Sequence, residues 1–519
     1  MGFLYPQGGI VDRGGRKERI ITASGKMWSS TLISQIFAFF RGLIIPDLLH
    51  PQQYGILGGL NLFTRYAGYL DVGFLPAMER EVPMLTGSGD EEAVQRVKST
   101  AFLVNLFTTF IYSLFLVLLA VLLMPTLTLQ ALWGFTAFIV LVIFGRLSDY
   151  YRFLFRGRGR FGAVSVMVVV NSAATLLVIV PLVYFWRLYG FYAGAICVSI
   201  FVWVIFFIIR KERTILYFDR GEFWRMLKIG FPMFLMGIGG TVLMTLDRFF
   251  IIYYLTTAEL GYYTIAVTIS MFVFLLPVNI SKVLAQNLFL EYGKTQSVKT
   301  LRDYVSKTTA VISTTLAVLI ALASCFYPLV LYVFLNHYIP AMGTTFLLLV
   351  AVFFLGVIIG PANTLIAQNR QLNIFFIQLV SILLTGMLCF LSSLMQMGII
   401  GIAGSMVVGF AIYAVFVSTY TFRLISMPAK AVVTYILEII LPLAYSLSAL
   451  YATVRLLPAP EVIGIATLMP HLTCLVYRLL FIVFLLLPMM WVLERRTGIF
   501  KDMRQLIGRK RQGGERDDG

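Results

Sequence analysis

What most constrains this chain is a succession of long apolar runs, each the length of a membrane-crossing helix, separated by short polar connections. They lie at roughly 22–44, 54–75, 99–124, 126–146, 161–182, 188–209, 229–253, 260–287, 308–335, 341–366, 373–395, 398–421, 432–454 and 466–491. About 20 apolar residues carry a helix across a bilayer core, so fourteen such helices would use roughly 310 positions of the chain. With 59% apolar and 13% charged residues, the surface has too little charge to face water, since soluble domains carry about 25%. A soluble enzyme, a disordered chain and a single-anchor receptor are excluded. So is a bacterial-type transmembrane barrel, whose short strands alternate in polarity. The expected fold is an all-α polytopic membrane protein of about fourteen transmembrane helices.

A net charge of +17 would suggest nucleic acid as the partner of a soluble protein, but its placement speaks for a membrane. Of the 41 Lys and Arg, only Arg187 and Arg455 fall in one set of alternate loops. Arg41, Arg65, Arg248, Lys282 and Arg478 lie within or at the edges of apolar runs, and the rest occupy the N-terminus, the opposite loops and the C-terminus. This is the positive-inside bias, and it places both termini on the cytoplasmic side of the cytoplasmic (inner or plasma) membrane. The clearest cytoplasmic loop is "RLSDYYRFLFRGRGR" at 146–160. The connection 76–98 is the exception, with five acids against three bases, and it is expected to form a short interfacial segment leading into a helix.

The segments implied are a cytoplasmic N-terminus (1–21), a first six-helix bundle (22–209), an amphipathic linker (210–228), a second six-helix bundle (229–421), an added helix pair (432–491) and a basic cytoplasmic tail (492–519). Cys197, Cys325, Cys389 and Cys474 all lie in apolar runs and read as packing residues. His50, His337 and His471 are far apart in sequence and beside no metal-ligand pattern. "RGRGR" at 156–160 lacks the glycine spacing and the Lys-Ser/Thr ending of a phosphate-binding loop. No nucleophile–base constellation emerges, so neither catalysis nor a cofactor or metal is expected.

An internal repeat is present. "FFRGLIIPDLLHPQQYGILGGLNL" (39–62) corresponds to "LDRFFIIYYLTTAELGYYTIAVT" (246–268), with Arg41 matching Arg248 and Tyr54-Gly55 matching Leu260-Gly261. An offset of six helices preserves membrane orientation, so two bundles related about the membrane normal follow, an arrangement used for alternating access.

The intramembrane charges are the candidate site. Arg65 in "GGLNLFTRYAGYLDVGF" sits about eleven residues into its run, where an arginine costs about 2.5–3.5 kcal/mol on the insertion scale. A water-filled cavity between the bundles would remove that cost and offer a fixed positive charge to an anion; the competing reading is a structural ion pair, with Asp71. Arg41, Arg248 and Lys282 are further substrate-binding candidates, although snorkelling to head groups explains Arg41 and Arg248 equally well. Asp71, Asp247, Glu438 and Arg478 are candidates for charge pairing or coupling, Asp247 beside Arg248 and Glu438 with Arg478. Pro232, Gly237, Gly239 and Gly240 in the seventh run and Pro277 in the eighth are candidate gating bends, because proline removes a helix hydrogen bond and glycine permits bending or close approach.

At 39–74 the sequence resembles the polysaccharide-exporting flippases, including O-antigen flippases, of the multidrug/oligosaccharidyl-lipid/polysaccharide (MOP) superfamily. The resemblance lies in a charged first-helix end, a short loop, Tyr-Gly, and a second helix ending near "LDVG", with "LDRFFIIYYLTTAELGYY" (246–263) as the second-bundle counterpart. It implies a MATE-like fold of two six-helix bundles around a central cavity, extended here by a last helix pair. It also implies export of an isoprenoid-diphosphate-linked oligosaccharide, with Arg65 the residue that best carries over. Partners implied are that glycan, membrane lipids and polysaccharide polymerase or assembly proteins, with no nucleic acid and a functional monomer. The alternatives are a cation-coupled multidrug exporter of the same superfamily and a noncatalytic membrane scaffold.

Overall fold

The computed structural model describes residues 13–210, 216–457 and 468–497. Most of the N-terminal segment, part of the linker and the tail beyond residue 497 lie outside these residues. Everything described is helix, turn or short connection. In chain order the helices are α1 (Arg13–Leu48), α2 (Pro51–Ala67), α3 (Phe74–Gly87), α4 (Glu91–Leu123), α5 (Leu129–Gly157), α6 (Phe161–Ala174), α7 (Val180–Ile209), α8 (Arg220–Tyr254), α9 (Thr257–Thr295), α10 (Val298–Val333), α11 (Met342–Val357), α12 (Ile359–Ala367), α13 (Gln371–Leu394), α14 (Gly398–Leu424), α15 (Ala429–Leu456) and α16 (Leu468–Thr497). Among the described residues, twelve segments are long and apolar enough to cross a membrane. One of them, Phe161–Ile209, turns back on itself: Arg187 has φ 51°, ψ −129°, and a methyl group on Gly190 would overlap the Leu182 carbonyl. Two of the expected runs are thus one hairpin with a tight tip.

Local chemistry sets the helix ends. Asp90 accepts the Ala93 amide at 2.8 Å and starts α4. Asp219 accepts the Glu222 amide at 2.9 Å and starts α8. Thr256 and Glu259 form a reciprocal capping box at the start of α9, satisfying amides that a helix start otherwise leaves without partners.

The second expected run, 54–75, is not one helix. α2 stops at Ala67, turns follow, and Val72 and Gly73 take left-handed φ values of 50° and 86° before α3 begins. α3 is a short helix leading into α4; its Phe74, Leu75, Ala77, Met78 and Val82 are fully buried and it packs on α4 and α5.

The helices sort into two compact units, one of residues 1–49 and 60–234, the other of 50–59 and 235–519. In the first unit α1 pairs with α6, α4 with α5, and α5 with α7. In the second, α13 and α11 pack on α14, while α10 pairs with α9, α15 and α16. The division passes through α8 between Pro232 and Gly237. The added pair α15–α16 is part of the second unit, where Ala321, Cys325, Ala449, Leu450, Ile482 and Leu486 form one buried cluster. Cys197 is exposed, Cys474 half-buried, and all four cysteines are free thiols.

Candidate functional site

α2 carries Arg65 on a polar stripe. Asn61, Thr64 and Arg65 are exposed, at a spacing of i, i+3, i+4 that puts them on one helical face, and exposed Gly68 opens the turn that follows. The opposite side is apolar and packed: Phe63 and Ala67 join Leu116 of α4 and Val142 of α5, and Tyr112 donates its hydroxyl to the Phe63 carbonyl at 2.9 Å. Arg65 lies fourteen residues past Pro51, about 21 Å along the helix. Exposed positions elsewhere in the apolar helices look different; on α4 they are Phe107, Phe110, Leu114 and Leu118. A stripe of amide, hydroxyl and guanidinium in that setting suits water and an anion, not acyl chains.

Asp71 does not neutralise Arg65. Its carboxylate accepts from Arg146 of α5 at 3.1 Å and, through the other oxygen, from the Leu75 amide at 2.9 Å, which caps α3. Arg146 also donates to Asn105 Oδ1 at 2.5 Å and to the Gly68 carbonyl at 3.4 Å. Arg146 is 3% exposed and Asn105 wholly buried. Sequence reasoning put Arg146 in a cytoplasmic loop. The clue to its burial was Asn105, a polar residue inside the apolar run of α4.

Beyond this network the first unit is closed by charge and by glycine. Arg225 of α8 pairs with Glu81 of α3 at 2.5 Å and with Glu222 at 2.7 Å. Arg156 meets Glu79 at 3.1 Å and Arg158 meets Glu91 at 3.0 Å. Burial pushes the Glu79 carboxyl above the usual carboxylate range, with Arg156 drawing it back. These pairs account for three of the five acids of the 76–98 connection, Glu79, Glu81 and Glu91, as counter-charges for arginines of neighbouring segments. Gly73 and Gly230 approach so closely that a methyl group on either would overlap the other's carbonyl.

In the second unit the repeat glycines meet. A methyl group on Gly55 would overlap the carbonyl of Thr257, four residues before Gly261, and one on Gly261 would overlap that of Pro51, four before Gly55. The contact is reciprocal, as expected of two copies of one motif. Their arginines have diverged. Arg41 is half-buried, about 10 Å before the end of α1. Arg248 is 5% exposed, so its side chain lies among protein atoms, and its Nη1 has no hydrogen-bond partner among the described residues. Neighbouring Asp247 accepts the Tyr263 hydroxyl at 2.6 Å and the Arg248 amide at 2.8 Å, so its carboxylate is engaged elsewhere than on the guanidinium.

Lys282 is exposed on α9 and bonds Asn279 Oδ1 at 3.2 Å. α8 runs helical through Pro232, Gly237, Gly239 and Gly240, and α9 through Pro277. Gly239 and Gly240 receive the amide of Gln378 on α13, so close approach is one use of these glycines. Glu438 and Arg478 do not pair. Arg478 donates to the Leu457 carbonyl at 2.7 Å, capping α15, and Leu457 lies nineteen residues beyond Glu438, about 28 Å along the helix. The Glu438 carbonyl accepts from Ser313 of α10 at 2.6 Å. Its side chain borders a cavity of about 390 Å³ with Ala310, Thr314, Pro442, Tyr445 and Met489.

Arg41, Arg65 and Asp71 thus belong to the first unit, and Arg248, Asp247, Lys282, Glu438 and Arg478 to the second.

Solved membrane transporters share this fold. An inward-facing multidrug resistance MATE family transporter of the MOP superfamily aligns over 76% of this chain and 94% of its own, with TM-score 0.67 and 13% identity. The lipid II flippase MurJ, in an inward closed conformation, aligns over 91% and 99%, with TM-score 0.68 and 15% identity. A MOP superfamily transporter from Pyrococcus furiosus aligns over 79% and 96%, with TM-score 0.58 and 13% identity. No curated protein sequence matches the chain. The family model for "Polysaccharide biosynthesis protein" matches residues 44–343, more than half of the 519 residues. The chain belongs to this polysaccharide biosynthesis family and has the all-helical membrane fold of the MOP superfamily.

Proposed function

We propose that the chain is a flippase that moves an anionic isoprenoid-diphosphate-linked oligosaccharide across the cytoplasmic membrane by alternating access, for assembly of a cell-surface polysaccharide. The observation that carries this reading is the exposed Asn61–Thr64–Arg65 stripe on α2. Exposed in the last turn of α2, the guanidinium is tolerable in such an apolar chain when it faces water, and there it attracts a diphosphate. The family match supports a polysaccharide precursor as cargo, and the fold supports transport over catalysis.

In this mechanism the diphosphate and sugar enter an aqueous cavity lined by α2 while the prenyl tail stays in lipid. Arg65 holds the head group, Arg41, Arg248 and Lys282 contribute further positive potential, and bending at Pro232–Gly240 and Pro277 exposes the head group outside. Moving one negative charge across 100 mV changes its energy by about 2.3 kcal/mol, so the membrane potential alone can bias the direction. The experiment is translocation in proteoliposomes, with diphosphate-linked glycans and cationic drugs compared side by side. Glycan transport that falls in Arg65→Ala supports the reading, whereas cationic-drug antiport without glycan transport assigns the chain to the exporter class.

A further inference from the structure

Two of the three histidines, distant in sequence, come together. His50 precedes α2, and His337 lies in the short 3-10 turn Asn336–Ala341 between α10 and α11. Their rings are 5.3 Å apart, inclined at 65°, and both side chains are exposed. Both belong to the second unit, to which the chain contributes only His50–Gly59 from its first quarter. Beneath them Tyr338, wholly buried, meets Tyr54 of α2 at 5.9 Å and Tyr262 of α9 at 6.2 Å. Next to Tyr54 and Tyr262 in the chain, Gly55 and Gly261 make their reciprocal contact. The start of α2 is therefore held by aromatic stacking, backbone close approach and, at its exposed edge, an imidazole pair.

We propose that His50 and His337 form a proton-sensitive clasp that holds the first turns of α2 against α9 and the α10–α11 turn, and loosens when both rings are protonated. Neutral imidazoles attract edge to face, while two imidazolium ions at the same separation repel. Histidine is the side chain that ordinarily changes charge between about pH 5 and 8, and protonating both rings reverses the sign of the contact. Titratable groups at the near ends of the surrounding elements include Asp47 on α1, Tyr54 on α2, Glu259, Tyr262 and Tyr263 on α9, Tyr327 and Tyr332 on α10, and Tyr338 in the turn. Arg187 donates to the Leu48 carbonyl at 2.6 Å. Tyrosine and arginine do not ordinarily titrate in that window, and the carboxylates ordinarily do so below it. Glu259 is also engaged in its capping box.

The consequence rests on the transporter reading above. Positive-inside placement puts both histidines on the outer side, where acidification would favour release of α2 and opening outward.

The test is hydrogen exchange of the full chain in lipid nanodiscs, read on peptides covering residues 50–59 and corrected for the intrinsic pH dependence of exchange. Bare Coulomb repulsion at 5.3 Å in water corresponds to about a 4-fold change in an equilibrium constant, so protection should fall at least about 4-fold from pH 7.5 to 5.5. His50→Asn and His337→Asn should each abolish that fall. His337→Glu should reverse it, because acidification then creates an ion pair with His50. At pH 7.5 Zn2+, bridging two neutral imidazoles, should raise protection in the unmodified chain and in neither Asn variant. A fall of the same size in the double Asn variant, or no pH response in the unmodified chain, overturns the proposal. The exchange measurement needs no cargo, so failure to transport a glycan would leave its outcome intact, and a lost pH response would leave the glycan result intact.

Discussion

Removing the charge of Asp71 should destabilise the first unit more than most substitutions on its surface. The carboxylate and the Arg146 guanidinium are 3.1 Å apart, with side chains 5% and 3% exposed, so neither charge has water to fall back on. Breaking a buried pair by deleting one partner typically costs about 3–5 kcal/mol, because the remaining charge stays buried. Asp71→Ala also removes the cap on the Leu75 amide, worth about 0.5–2 kcal/mol, whereas Asp71→Asn keeps an acceptor there. Asp71→Ala should thus be the worse variant by about 1 kcal/mol, and Arg146→Met should resemble Asp71→Asn. The decisive comparison is Asp71→Asn combined with Arg146→Met, which removes both charges together. Its loss should be smaller than the sum of the single losses by at least about 2 kcal/mol. Denaturant unfolding in mixed micelles, followed by far-UV circular dichroism, measures all four chains. A double variant that loses the full sum would refute the pairing argument.

Gly73→Ala meets two obstacles, a left-handed φ of 86° and the Gly230 backbone; it should cost more than the roughly 1–2 kcal/mol of the conformation alone. Gly87→Ala, with nothing within 4 Å of the added carbon, should stabilise by up to about 1 kcal/mol in the same unfolding assay. Tyr263→Phe leaves the buried Asp247 carboxylate without the hydroxyl that donates to it at 2.6 Å. That change should lower stability by about 1–3 kcal/mol, and an unchanged unfolding midpoint would show that the bond contributes nothing.

The membrane architecture was legible because crossing a bilayer demands length and apolarity, and both are written along the chain. Every expected apolar run falls at least in part on helix. What sequence could not supply was pairing between distant segments. Asp71 was weighed as a partner for Arg65, six residues away; its partner is Arg146, in another helix and 75 residues on. The acids of 76–98 seemed to contradict a cytoplasmic loop until Glu79, Glu81 and Glu91 were seen to meet Arg156, Arg225 and Arg158. The break after Ala67 is not written in hydropathy; what marks it are contacts from other helices, Arg146 on the Gly68 carbonyl and Gly230 on Gly73. Arg65 was legible for the opposite reason: a lone charge in an apolar run stands out wherever its partners lie. The repeat likewise exposed Gly55 and Gly261 as equivalent positions, though not that they touch.

The central claim is that Arg65 presents positive charge to an anionic lipid-linked cargo. Arg65→Ala and Arg65→Lys, purified at normal yield and reconstituted beside the unmodified chain, should separate in an assay of isoprenoid-diphosphate glycan translocation. The account predicts at least about a tenfold fall in initial rate for Ala, equivalent to about 1.4 kcal/mol, close to the lower end of the range for a hydrogen bond to a charged group. Lys, which keeps the charge but not the planar fork, should fall between. Unchanged glycan translocation by Arg65→Ala would contradict the account.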